Sequence, residues 1–296
     1  MRVFVTGATG FIGSAVVPEL LQAGHQVFGL ARSDKSAQAL TTAGATAHRG
    51  SLEDLDSLTR GAAAADAVIH LGFVHDFANY AAAAETDKRA IEALGAALAG
   101  TNRPLVTTAG LLGLSTPGRL VTEQDAASPH SPRLSEAATL AQVAQGVRAS
   151  VVRLAPSVHG AGDGGFVPML IACARQKGVA VYASSGDNRW PALHRLDAAQ
   201  LYRLVLERGA AGGIYHGVAD EGIPMREIMG VVGRHLNVPV AAKSPTEAAD
   251  YLGWILPFAT LDAPSSSVLT QAQLGWQPSR PGLLADLEEG HYFLGA

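Results

Sequence analysis

The first half of the chain alternates short apolar runs with longer stretches whose apolar residues recur at helical spacing. The runs fall at residues 2–6, 26–31, 45–49, 66–71, 104–108 and 150–154, each the length of a strand and too short for a helix. Between the first two, residues 11–23 carry Phe11, Ile12, Val16, Val17, Leu20 and Leu21 at helical spacing, and Gly24 is placed to end that helix in a left-handed turn. Segments 35–43, 78–100 and 133–147 have helical texture, and the alanine runs at 62–65 and 81–84 favour helix. Strands alternating with helices of this length predict a parallel sheet covered on both faces and joined by right-handed crossovers.

Beyond residue 155 the texture changes. A glycine-dense stretch at 160–165 is followed by short helices, isolated strands and frequent Gly and Pro breaks. This predicts a dinucleotide-type domain over 1–158 and a smaller lobe built from 159–194 and 219–296. Residues 195–218 are expected to return to the first domain as a helix near 197–207 and a strand near 213–216.

Composition narrows the functional classes. Hydrophobic residues make up 48% of the 296 and charged residues 16%, so a large core is available and disorder is excluded. The net charge of -4, without blocks of like charge, argues against nucleic acid or an anionic membrane surface as partner. The single cysteine, Cys173, cannot form a disulfide within the chain and suits a reducing compartment. No leader and no uncharged stretch of about 20 residues is visible, so a cytoplasmic protein is expected. The histidines are scattered, and no metal site is expected.

The sharpest motif is TGATGFIG at residues 6–13, set between the first strand and the first helix. Gly7 permits a tight turn, Gly10 lets backbone approach a diphosphate, and Gly13 lets the helix pack close to the sheet. The helix opening offers free N–H groups and the positive end of its dipole to an anion. With the strand, turn and helix in the required order, a nicotinamide dinucleotide is the expected ligand, bound in a Rossmann-type doubly wound parallel sheet with a smaller C-terminal α/β substrate lobe.

The motif resembles the signature of extended short-chain dehydrogenases/reductases, the NAD-dependent epimerase/dehydratase group. The stretches 66–71 (DAVIHL), 153–160 (RLAPSVHG) and 190–197 (WPALHRLD) resemble that family too, so the resemblance spans nearly the whole chain. It implies dinucleotide contacts at Gly7, Thr9, Gly10, Phe11 and Ile12. It further implies contacts at Ser51, Leu52, Leu71, Gly72, Phe73 and Thr107, and at Ala155, Pro156, Ser157 and Val158 beside the nicotinamide. At the end of the second strand, Ala31 is followed by Arg32, with no acidic residue before Asp34. A carboxylate there would hold the ribose hydroxyls; an arginine instead suits a 2′-phosphate, so NADP is expected, with NAD as the alternative.

The family's catalytic set is Ser/Thr followed by Tyr-x-x-x-Lys. Thr108 fits the first position. The tyrosine position falls near Arg133 and the lysine near Ala137, and no tyrosine occurs between Tyr80 and Tyr182. Arginine cannot act as acid or base. Three outcomes stay open. His75 supplies the proton, with Tyr80, Tyr182 and His194 as other candidates. Or Arg133 beside Thr108 stabilises charge on a substrate that needs no strong acid, such as a quinone or enone. Or the site is silent and the chain is an NADP-binding sensor or scaffold. Phe73, Phe77, Tyr80, Phe166, Tyr182, Trp190, Trp254 and Phe258 are candidate pocket walls, favouring a small apolar ring-containing ketone, enone or quinone as the small-molecule substrate of an oxidoreductase. The helices at 78–100 and 133–147 pair between subunits in the family, which implies a homodimer.

Overall fold

The computed structural model describes residues 1–114, 118–128 and 131–294. In chain order the elements are β1 (Arg2–Thr6), α1 (Gly13–Gln22), β2 (Gln26–Ala31), α2 (Asp34–Thr42), β3 (Thr46–Arg49), α3 (Leu55–Ala63), β4 (Ala67–His70), α4 (Tyr80–Leu98), β5 (Pro104–Gly110), α5 (Ser135–Ala141) and β6 (Arg148–Leu154). Then come β7 (Ser157–His159), α6 (Phe166–Lys177), β8 (Ala180–Ala183), β9 (Arg189–His194), α7 (Arg195–Arg208), β10 (Ile214–Gly217), β11 (Asp220–Pro224) and α8 (Met225–Leu236). The last are β12 (Val240–Lys243), α9 (Pro245–Leu252), α10 (Leu256–Ala259), α11 (Val268–Leu274) and α12 (Leu283–Glu288).

Seven strands form one parallel sheet in the order β10-β6-β5-β4-β1-β2-β3. Its direction of growth reverses between β1 and β4, and a crevice opens at the carboxyl ends of strands there. Both faces are buried, as a parallel sheet requires: Val3 and Val5 pack on one side, Phe4 on the other. α7 lies on α1, where Arg203 joins Glu19 (2.7 Å) and Glu207 (3.0 Å). A second core, with Val167, Leu170, Trp190, Ile228 and Val232, sits with the smaller sheets β11-β9-β7 and β12-β8. Leu274 and Trp276 pack into the first core, although they follow the second lobe's helices.

Several boundaries differ from the sequence expectation for physical reasons. Helix α3 escapes the periodicity because its apolar side holds only Leu58, Gly61 and Ala62; Asp54 starts it by accepting the Ser57 amide at 3.0 Å. The helix expected over 133–147 ends as α5 at Ala141, tightening into a 3₁₀ turn at Gln142–Gln145 before the left-handed Gly146. Residues 71–79 form an irregular stretch ahead of α4.

Candidate dinucleotide site and its polar chain

Gly7 has φ +66°, and a Cβ there would stand 2.7 Å from the Gly72 nitrogen. At Gly13 a Cβ would lie 2.1 Å from the Gly7 carbonyl oxygen, so only glycine lets α1 start this close to β1. The Gly10 amide closes the turn on Gly7 O (2.9 Å), and Ser14 N–H donates to Gly10 O (2.9 Å). Among the described residues the Phe11 and Ile12 amides have no protein acceptor. The first turn of α1 holds no acidic residue. Two orphan donors at a positive helix end, over a cradle that any side chain would fill, fit a diphosphate.

The side expected to hold the adenosine is formed by β2, β3 and the loop after it. Arg32 is exposed at the end of β2 and has no carboxylate partner among the described residues, while its neighbour Arg49 is paired with Asp34. Ser33 caps α2 by accepting the Ser36 amide. Ser51 Oγ is turned onto the Glu53 and Asp54 amides (3.3 Å each). Leu52 packs against Gly72 at the end of β4, where a Cβ would meet its Cδ2 at 3.0 Å.

From this turn a buried polar chain crosses the sheet. Gly72 N–H donates to Thr6 Oγ1 (3.1 Å), whose hydroxyl donates to His70 Nδ1 (2.7 Å). His70 Nε2–H donates to Asp87 Oδ1 (3.0 Å), and Asp87 Oδ2 accepts from the Ser135 hydroxyl (2.5 Å). Ser135 Oγ in turn accepts from Arg133 Nε (3.0 Å). Every donor has an acceptor only if the His70 proton sits on Nε2 and Asp87 is ionised. Burial pushes the Asp87 carboxyl up. The hydrogen bonds from His70 and Ser135 and the charge of Arg133 oppose it, and the net shift is downward.

Arg133 ends that chain. Its Nη2 donates to the Thr108 carbonyl (3.4 Å), and its guanidinium lies over the Phe73 ring, 4.1 Å from the centroid. Nη1 has no hydrogen bond among the described residues. His75 stands at the solvent edge, its ring 5.3 Å from that of Phe73. Partial desolvation, and then the Arg133 charge, lower its pKa. Of the three expected catalytic residues, Arg133 and His75 therefore meet at the Phe73 ring, and Thr108 touches Arg133 through its carbonyl.

Thr108 itself is occupied. The phenol of Tyr202, fully buried on α7, has Thr108 as its one hydrogen-bond partner among the described residues, at 2.6 Å. The phenol must donate there, because its burial drives its pKa up. Thr108 Oγ1 then donates to the His70 carbonyl (3.2 Å) and keeps a lone pair but no proton for a substrate. Sequence spacing gave no sign of Tyr202. It lies in register with Leu201, Leu204 and Val205, and looks like core.

Other expectations are redirected. The Thr107 hydroxyl does not face the crevice: it is buried and meets Thr139 Oγ1 at 2.7 Å, on the α5 side. Ser157 is buried at the start of β7 with no partner for its hydroxyl among the described residues, Ala155 is buried ahead of it, and Val158 packs on the first core. His194 is spent as the α7 N-cap, accepting the Leu196 amide at 3.2 Å. Phe73, Phe77, Tyr80, Phe166, Trp190, Trp254 and Phe258 do form one connected set of ring contacts, 4.9 to 6.4 Å between centroids. Tyr182 stands apart on β8, against Gly186. The cleft at Arg133 is small, about 20 Å³, lined with Ala109, Gly110, Ser131 and Glu136. A larger one, about 420 Å³, lies in the second lobe at Ser184, Asn188, Pro257 and Thr260 and shares none of these residues. Asp286, Glu289 and His291, within six positions of one another in the sequence, bring ligand atoms within 4.8 Å of one another.

The chain matches the NAD dependent epimerase/dehydratase family over residues 3–216. It is 52% identical over 295 residues to the uncharacterized protein C2A9.02 of Schizosaccharomyces pombe, covering 99% of this chain and 100% of that one. It is 28% identical over 282 residues to a 4-hydroxy-2-methyl-3-oxo-4-farnesyl-3,4-dihydroquinoline-1-oxide ketoreductase of Stigmatella aurantiaca, covering 86% and 80%. Among solved structures, the dTDP-glucose 4,6-dehydratase DesIV of Streptomyces venezuelae, crystallised with NAD, superposes with TM-score 0.76 at 21% identity, over 97% of this chain and 96% of that one.

Proposed function

The chain belongs to the NAD dependent epimerase/dehydratase family, and on that premise we propose that it is a nicotinamide-dependent reductase of a compact, apolar ring ketone, enone or quinone, with NADP preferred over NAD. The observation that carries this reading is Arg133, a cation fixed by Ser135 and the Thr108 carbonyl, whose Nη1 has no hydrogen bond among the described residues and which lies against the aromatic cluster. The dinucleotide, when bound, supplies hydride. The chain's own residues do the rest. Phe11 and Ile12 amides hold the diphosphate, and Leu52, Leu71 and Gly72 line the way from it. Arg32 takes the 2′-phosphate. Arg133 stabilises negative charge growing on the carbonyl oxygen, in a position that needs no reorganisation. Thr108 holds the Arg133 guanidinium through its carbonyl, and His75 passes a proton at the solvent edge. The relative that reduces a ring ketone supports this substrate class.

Absorbance of the reduced nicotinamide tests the proposal, with NADPH and a panel of quinones, enones and ring ketones. Arg133→Ala should lower turnover about 100-fold or more while NADPH affinity holds. Arg32→Ala should weaken NADPH about tenfold and leave NADH unchanged; equal losses for both would remove the NADP preference. A second reading, a silent NADP-binding sensor, is favoured by the Thr108 hydroxyl, whose only proton is committed to His70. It predicts saturable NADPH binding with no compound reduced. A homodimer through α4 and α5 is part of the proposal. The small residues Ala83, Ala84, Ala90 and Gly95 are buried within the chain, so the outward face of α4 offers Glu85, Arg89 and Glu92 instead. Sedimentation as a monomer at micromolar concentration would reject it.

A further inference from the structure

The phosphate turn has no cation of its own: residues 6–14 are TGATGFIGS. One reaches it from the other half of the chain. Arg195, the first residue of α7, lies over the Phe11 ring, 4.7 Å from its centroid. Its Nη2 donates to Ser14 Oγ in the first turn of α1 (2.8 Å), and its Nη1 to the Ala161 carbonyl (2.9 Å). One turn pair further along, Arg203 meets Glu19, so α1 and α7 run side by side in the same direction. Two helix openings, each a positive dipole end, therefore stand together at Phe11.

Arg195 also lacks a counter-ion. It pairs with no carboxylate among the described residues. The carboxylate nearest in sequence, Asp197, is buried and spent on the Ser279 and Arg280 amides (3.1 and 3.0 Å). Among the described residues Arg195 Nε is buried without an acceptor, and burial lowers the pKa of the group. A partly desolvated cation with no anion beside it is unfavourable. It is nonetheless held in place. The 160–165 loop folds over its stem, where a Cβ on Gly160 (φ +128°) would sit 3.1 Å from Arg195 Cγ.

We infer that Arg195 is a cofactor-binding residue, which carries the counter-charge of the diphosphate bridge and ties the phosphate turn to the loop at Ala161. The inference rests on the dinucleotide reading proposed above. Calorimetric titration of NADPH and of NADH separates the two. The wild-type chain is compared with Arg195→Met, which keeps the apolar stem, and Arg195→Lys, which keeps the charge; thermal melting confirms that each variant folds. Arg195→Met should weaken both dinucleotides alike, about 10- to 100-fold, and flatten the salt dependence of binding. Arg195→Lys should recover most of the loss. If Arg195→Met binds both as tightly as wild type, or weakens NADPH alone, the inference fails and dinucleotide binding stands. If wild type binds neither dinucleotide, both fall.

Discussion

The two ends of the crevice are built by different means. At the β1–α1 turn the working groups are backbone amides, and glycines shape them: Gly13 meets the Gly7 carbonyl and Gly7 meets Gly72. At the β5–α5 end the proposed working group is a side chain, Arg133. Its position depends on Ser135, Asp87, His70 and Thr6, drawn from four separate elements. A backbone site tolerates change in most side chains around it. A side-chain site depends on every member of its hydrogen-bonded chain. The buried chain also joins the two, because its first member, Thr6, holds the Gly72 amide at the phosphate turn.

That contrast can be broken in decreasing steps. Gly13→Val places side-chain carbon where the Gly7 carbonyl already stands. It should abolish dinucleotide binding and cost about 3 kcal/mol or more of stability. Melting and NADPH titration read both, and retained binding would mean that the turn is not the cradle described.

Asp87→Asn keeps the shape but puts an amide between two groups that both donate. A cost of about 2–3 kcal/mol is expected, with weaker Arg133-dependent turnover. The pH response distinguishes this from simple repacking. The folded Asp87 pKa lies below its ordinary 3.8, so the stability from ionised Asp87 is fully present above that value. It is lost as pH falls through the lower folded one. Asp87→Asn should melt lower at neutral pH and lose less on acidification. Parallel melting curves across the acid range would show that Asp87 carries no such charge.

Tyr202→Phe should do least. It removes one buried hydroxyl and frees a lone pair on Thr108, costing at most about 1 kcal/mol. Turnover should be nearly unchanged. A fall of about 100-fold would instead make Tyr202 the proton source.

How far the sequence reveals each end follows from the same contrast. The phosphate turn is visible as three glycines spaced by three between a strand and a helix, a local pattern. The polar chain is not, since Thr6 and His70 are 64 residues apart and Asp87 and Ser135 are 48 apart. One trace of it exists. Asp87 falls in phase with Ala83, Ala90, Ile91 and Leu94 on the buried face of α4, where an unpaired carboxylate would be costly. Arg133 is visible only against the family's tyrosine, and its anchoring by Ser135, two residues away, needs the turn into α5 to be known.

The central claim is that the amides opening α1 receive the diphosphate of a nicotinamide dinucleotide. Amide resonances of an isotopically labelled chain, followed during addition of NADPH, test it at the atoms concerned. Saturable shifts centred on Phe11 and Ile12, absent in Gly13→Val, are the predicted result. Saturating NADPH that leaves both amides unmoved would contradict it.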